Sequence, residues 1–251
     1  MTSRDSAFGR PSRLMKSLLS AAAICLLFWS LASPAPGDQS YLTATFDDKT
    51  VDQPIGTGGA SVGEPVAVQE QAEAIVRSEP FETPCLEFRN VSAAGNVFFE
   101  LDNPVTEGIV AVIIDLWFYE DSDCNYWLDL YNSSWYNLTK IAFDYDHTFY
   151  ISDPAGYAVT DVPHAFGRPL PILMVFNLDT GTYSVWIDEV QQVNERALSV
   201  ALYDFKHLVV GSGWDCSGAN RISIDQLRII DHEPQVPVEV PTWGSLRALF
   251  R

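Results

Sequence analysis

From Tyr41 to Asp231 the chain is a succession of short alternating apolar runs, each stopped by Gly, Pro, Asn or Asp, and helical periodicity is almost absent. The runs are Tyr41 to Phe46, Ala74 to Arg77, Cys85 to Arg89, Val97 to Leu101, Ile109 to Tyr119, Tyr126 to Tyr131, Thr139 to Tyr145, Thr148 to Ser152, Ile172 to Leu178, Tyr183 to Ile187, Ala197 to Val200, Leu208 to Gly211 and Arg221 to Ile230. Side chains alternate faces along a strand, so each run buries one face and exposes the other. About a dozen such strands at this spacing predict an all-β, two-sheet antiparallel sandwich. Asp179, Thr180 and Gly181 between two apolar runs predict a hairpin. Thr50 to Pro65 is Gly-rich, lacks the phosphate-cradling glycine patterns, and is expected to be a surface loop.

The first 37 residues stand apart. Arg4, Arg10, Arg13 and Lys16 precede an apolar run from Leu18 to Leu31, followed by the small-residue segment SPAPG. That order is expected of a secretory signal cleaved after Gly37, with an uncleaved N-terminal anchor as the alternative. The run is short for a membrane span, so no span is expected in the mature chain. A secreted, extracellular or cell-surface location is expected, with the periplasm left open. Removing the segment takes four basic residues and one acidic residue from totals of 15 and 33, leaving 11 against 32. A surface of that charge repels nucleic acid and anionic membrane, and both are excluded as partners.

Three cysteines remain in the mature chain, and export permits a disulfide. Cys124 and Cys216 both sit in polar loop contexts while Cys85 opens an apolar strand, so a Cys124–Cys216 bridge is expected, although spacing alone leaves three pairings open. From residue 232 to the C-terminus the chain is a Pro-rich linker and a short tail, HEPQVPVEVPTWGSLRALFR. The tail resembles the Trp-Gly-containing C-terminal tails of some exported bacterial proteins. That likeness implies a sorting or docking tag; a disordered or back-packed tail is the other reading.

Taken together, FDD in the first strand, the pair IVAVIIDLWFYE and YWLDLY, the hairpin MVFNLDTGTYSVWIDEVQQ and the closing ISIDQLRI resemble the concanavalin A-like lectin/glucanase superfamily, especially its laminin G-like members. The resemblance spans roughly Tyr41 to Asp231 and bears on fold more than on function. It implies a jelly roll whose first and last strands lie side by side, with Asp225 near Asp47 and Asp48. It also implies a structural Ca2+ at these three residues, since calcium takes oxygen ligands of the kind they supply. The alternative is that Asp47 and Asp48 cap a turn and Asp225 accepts hydrogen bonds from that loop.

Catalytic patterns are missing from the sequence. No string of acids lies along one strand face, Asp115 with Glu120 and Asp188 with Glu189 being the nearest, and the last two are expected to point to opposite faces of a strand. There is no GxSxG elbow, the four histidines are scattered, and no zinc-ligand spacing occurs. A non-enzyme is expected. Binding has better candidates. Asp115, Trp117 and Tyr119 share one face of their strand, and Trp127, Asp129 and Tyr131 share one face of theirs. If the two strands are neighbours, Trp, Tyr and Asp form two stripes on one sheet face, suited to stacking on sugar rings and accepting hydroxyl hydrogen bonds. Trp135, Trp186 and Trp214, near turns or strand ends, are expected at the rim or as loop anchors. The alternative is that loops cover these tryptophans. The sequence therefore predicts a non-catalytic, lectin-like module for a carbohydrate or an extracellular or cell-surface protein. The alternative is a structural cell-envelope or extracellular-assembly protein held by its tail, and a divergent glycan-cleaving enzyme comes third.

Overall fold

The computed structural model describes residues 40–55, 67–68, 72–90, 95–119, 125–144, 148–163, 166–200, 203–213 and 221–232. Strands numbered in chain order form two antiparallel sheets. The first runs β13 (Val190–Ala197), β12 (Thr182–Ile187), β11 (Pro169–Asn177), β6 (Ile109–Phe118), β15 (Arg221–Asp231), β4 (Cys85–Asn90) and β3 (Ala72–Arg77), with β1 (Ser40–Ala44) also on β15. The second runs β10 (Ala158–Pro163), β9 (Thr148–Ser152), β8 (Asn137–Phe143), β7 (Tyr126–Tyr131), β14 (Phe205–Ser212), β5 (Gly95–Val105) and β2 (Ala67–Val68). The architecture is the all-β jelly-roll sandwich, and the first and last strands pair as the resemblance implies.

The core lies between the sheets and follows from alternation. Val110, Val112, Ile114, Leu116 and Phe118 of β6 face inward from the first sheet, and Tyr126, Leu128 and Leu130 of β7 face inward from the second. The two layers meet at Phe118, whose ring lies 4.6 Å from Phe143 and 6.1 Å from Tyr126. Phe176 stacks on its cross-strand neighbour Tyr183 within the first sheet and meets Phe205 of the second.

β15 is central to the first sheet and contains a break in parity. Ile222 and Ile224 point into the core, and so do Leu227 and Ile229, which are out of step with them by one residue. The step is a β-bulge: on β6, Asp115 pairs with Asp225 but Ile113 pairs with Arg228, so Gln226 and Leu227 together oppose Ile114. Gln226 takes a left-handed backbone, φ 53°. The same point divides the other edge of β15. Up to Ile224 it pairs with β4, and from Leu227 onward it pairs with β1.

Several expected boundaries move. Asp188 and Glu189 are the two central residues of the β12–β13 turn, with φ of 49° and 68°, rather than successive strand residues. Hairpins of this length favour positive φ at both central positions, usually signalled by Asn-Gly or Asp-Gly. Glu in place of Gly hides the turn in the sequence, and Arg168 holds it through hydrogen bonds to the Asp188 carboxylate. The Asp179-Thr180-Gly181 hairpin forms as expected, joining β11 to β12.

The bulge makes a direct prediction. Gln226→Gly, which relieves a left-handed residue, should leave stability within about 1 kcal/mol of the parent, whereas β-branched Gln226→Val should cost about 1–2 kcal/mol. Denaturant unfolding of both variants reads the difference; equal stabilities would contradict the bulge.

Candidate functional site

The two stripes expected to share a face lie on opposite outer surfaces. Asp115, Trp117 and Tyr119 are on the first sheet or just beyond its edge, and Trp127, Asp129 and Tyr131 are on the second. Although β6 and β7 are consecutive, β6 pairs with β11 and β15 while β7 pairs with β8 and β14, so the chain crosses between sheets after Tyr119. Alternation assigns a side chain to a face of its strand, but both sheets bury one face, so the pattern is the same in either.

On the first sheet the segment between β3 and β4 packs against the outer face. Phe81 meets Trp117 edge-on at 5.9 Å, the Thr83 hydroxyl donates to Asp225 Oδ2 at 2.9 Å, and the Cys85 thiol donates to the Glu79 carbonyl at 3.1 Å. Arg221 lies 4.0 Å from the Tyr119 ring centroid and donates to buried Glu87, and the Tyr119 hydroxyl hydrogen-bonds Ser223. Cys85 is a free, buried thiol, pushed up to about 11 mainly by burial, and is therefore a poor nucleophile. Around the bulge, Asp115 and Asp225 sit directly opposite each other. Burial and then the Asp225 charge push the Asp115 carboxyl up to about 7, against the pull of Arg228. Burial also raises Asp225, opposed by its bonds from Thr83 and from the Gln226 amide, with Asp47 adding a smaller upward push.

The expected calcium set does not assemble. Asp48 is an exposed residue ion-paired with Lys49, and Asp225 spends its oxygens on Thr83 and Gln226. The positive charge among Asp47, Asp115 and Asp225 is supplied by Arg228. Among the described residues no three His, Cys, Asp or Glu side chains converge in a way that could hold a metal. These residues do not fit a bound Ca2+; Asp225 accepts its hydrogen bonds from Thr83 of the β3–β4 segment and from the Gln226 amide of its own strand, whereas the alternative reading drew them from the Asp47–Asp48 loop. Trp214, Cys124 and Cys216 lie outside the described residues.

The outer face of the second sheet has a different character. Cross-strand pairing lays its side chains in three rows. The first runs Tyr150, Ala142, Trp127, Gly211 and Asn96; the second Ser152, Lys140, Asp129, Val209 and Phe98; the third Asn137, Tyr131, His207 and Glu100. Gly211 lets the Trp127 indole lie across β14, since a Cβ there would collide with that indole and with the Asn96 side chain. Asp129, buried, accepts from Tyr131 and Asn137 and pairs with Lys140 at 3.5 Å. Burial raises its carboxyl, while Lys140, Tyr131 and Asn137 hold it down. Lys140 Nζ also sits 4.6 Å from the Trp127 ring centroid. Over the third row stands Trp135, from the β7–β8 connection, stacked on His207 at 3.9 Å and 15°.

Asn96, Phe98, Trp127, Asp129, Tyr131, Trp135, Lys140 and Val209 line an open, shallow recess of about 300 Å³. Of the expected ligand residues it unites Trp127, Asp129 and Tyr131 and leaves out Asp115, Trp117 and Tyr119. It adds Asn96, Phe98, Lys140 and Val209, which were not singled out from the sequence, and Trp135, expected near a turn as a rim contact or loop anchor. Two of these were within reach: alternation in VFFEL turns Phe98 outward, and the short Asn132–Tyr136 connection makes β7 and β8 a hairpin that sets Lys140 beside Asp129.

No family model matches the sequence, and no curated protein matches it. Solved structures match its fold. They include a sialidase with TM-score 0.54 and 12% identity, covering 78% of this chain and 19% of that one. Trypanosoma rangeli sialidase matches with TM-score 0.52 and 14% identity, covering 95% of this chain and 38% of that one. The T. cruzi calreticulin globular domain matches with TM-score 0.50 and 9% identity, covering 84% of this chain and 95% of that one. This chain thus spans well under half the length of either sialidase, and at these identities the likeness is one of fold.

Asp115 yields a pH prediction. Its folded carboxyl keeps a proton to about pH 7 and the unfolded one loses it near the ordinary value, so stability falls as pH rises through that window. Asp115→Asn should raise stability by about 1 kcal/mol, or roughly 2–4 °C in Tm, at pH 8 and change little near pH 4. Thermal melts of both proteins across pH check it.

Proposed function

We propose that this protein is a non-catalytic, lectin-like module that acts outside the cytoplasm of the cell producing it and binds carbohydrate on the outer face of its second sheet. The observation that carries the reading is the recess in which four aromatic side chains, Phe98, Trp127, Tyr131 and Trp135, surround the Asp129–Lys140 pair and Asn96. Sugar rings offer apolar faces and hydroxyl edges. Indole and phenol rings stack on the faces, and fixed carboxylate, amide and ammonium groups serve the hydroxyls. The jelly-roll fold supports the reading as a scaffold that presents one such sheet face to solvent. Export is supported by the basic, apolar and small-residue order of the N-terminal segment.

The recess lining supports a non-catalytic role. Glycoside hydrolysis generally uses two carboxyls flanking the scissile bond. Asp129 is the one carboxylate among the residues lining the recess, and it is already occupied by Tyr131, Asn137 and Lys140. Such a carboxylate orients and accepts hydrogen bonds; it is not free to donate a proton to a leaving group.

Calorimetric titration against a panel of soluble neutral glycans, followed in parallel by tryptophan emission, tests this. Binding is expected for part of the panel, Trp127→Ala should weaken it at least about tenfold, and Trp117→Ala should leave it unchanged. A flat response to every glycan, or release of reducing ends abolished by Asp129→Asn, would overturn the proposal.

A further inference from the structure

We infer that Trp135, braced from below by His207, is a second ring-stacking platform, so that the ligand is a neutral oligosaccharide lying along β7 and β14 rather than a single sugar. The inference rests on the carbohydrate-binding reading of the same face and adds the size and charge of what it takes.

Two aromatic platforms flank the row of Lys140 and Asp129 on opposite sides. Trp127 pairs across to Gly211, while Tyr131 pairs across to His207, four residues further along the same two strands. At the rise of an extended strand that separation is about 13 Å. Between the two rows lie Asp129, Lys140 and Val209. Along β7 the order is therefore aromatic, polar, aromatic, and a single ring on Trp127 leaves Tyr131 and Trp135 uncovered.

Trp135 is built to be presented. It remains 53% exposed, yet its loop is tied down from within. Fully buried Asn132 accepts from the amides of Ser134 and Tyr136 at 3.0 and 2.9 Å, and the Ser133 amide donates to both carboxylate oxygens of buried Asp204 at 3.3 Å. Trp135 itself takes φ 61°, a left-handed backbone uncommon for a bulky residue. His207 covers one face of the indole, and Tyr131 and Phe98 flank it with centroids at 5.6 and 6.2 Å. His207 is itself only 4% exposed, so the indole rests on a fixed ring. An apolar contact made for stability alone would be expected to bury the indole; this one leaves it standing over the recess.

The charges on the face cancel. Asp129 is matched by Lys140 at 3.5 Å and Glu100 by Lys206 at 3.0 Å. In a chain with a formal net charge of −18, a face so balanced suits an uncharged ligand, while a polyanion would meet the repulsion of the surrounding surface.

The test titrates the full chain with glucose, with β-1,3- and β-1,4-linked glucose oligomers and with galactose, mannose and their neutral oligomers. Oligouronates of matching length serve as the charged comparison. Affinity should rise at least about tenfold from the single sugar to the oligomer in at least one series, and the oligouronates should bind more weakly. Trp135→Ala should bring oligomer affinity down toward the single-sugar level, with a larger fold-loss for the oligomer than for the single sugar. His207→Ala should behave likewise, whereas His207→Phe, which keeps a flat ring beneath the indole, should retain the oligomer preference. Melts of each variant show that it folds. Affinity that does not depend on chain length, equal loss of single-sugar and oligomer binding in Trp135→Ala, or tighter binding of the oligouronates would overturn this inference alone. Binding to none of the probes would overturn it together with the reading on which it rests.

Discussion

β15 lies between β6 on one side and, end to end, β4 and β1 on the other, and the rest of the first sheet depends on that pairing. Three strands from distant parts of the sequence converge on it, and its bulge allows one continuous strand to serve all of them. By shifting parity at Gln226, the chain keeps Ile222 and Ile224, and then Leu227 and Ile229, facing the same core. The bulge falls where β1 ends and β4 begins along β15. Asp225 lies at that point and accepts from Thr83 at the approach to β4 and from the next amide of its own strand. Arg228 supplies the opposite charge to Asp115, Asp225 and Asp47. A buried carboxylate pair without that guanidinium would be costly, because each charge removed from water needs a partner.

Functional potential divides between the two outer faces accordingly. On the first sheet the β3–β4 segment lays Phe81 and Thr83 over Trp117 and Asp225, and the polar groups there bond mostly to one another. On that face the polar groups form a bonded network, and the half-buried Trp117 ring is met edge-on by Phe81. On the second sheet the rows are short in charge and rich in rings, and the connection that comes over them, from Asn132 to Tyr136, brings an exposed indole. Two sheets with the same alternating pattern inside therefore end with opposite surfaces outside. The difference arises from what the loops carry: a Phe and a Thr in one, a Trp and a Tyr in the other.

The sandwich was legible in the sequence because period-two alternation is a direct consequence of burying one face of a strand. The adjacency of the first and last strands came from the family resemblance. Sheet membership was not legible, since IVAVIIDLWF and YWLDLY alternate alike whether they are neighbours or cross between sheets. β13, VQQVNERA, was hidden because only Val193 of that strand joins the core, as suits an edge strand with polar side chains on both faces. Asp188-Glu189 hid a turn because neither residue is a glycine. The bulge was visible in principle: in ISIDQLRII the apolar spacing passes from two to three between Ile224 and Leu227, which strict alternation forbids. For the site, Trp127, Asp129 and Tyr131 were legible from one strand. Their partners on β5, β8 and the β7–β8 connection depend on pairing partners and on a left-handed Trp that no local pattern announces.

On the proposed reading, ligand is received on the outer face of the second sheet and not on that of the first. Amide chemical-shift mapping during titration with a neutral oligosaccharide tests it most directly. The account predicts shifts clustered at Asn96 to Glu100, Trp127 to Tyr131, Ser134 to Lys140 and His207 to Gly211, with Asp115, Trp117 and Ser223 to Arg228 unmoved. Shifts centred on Asp115, Trp117 and Asp225 would contradict it.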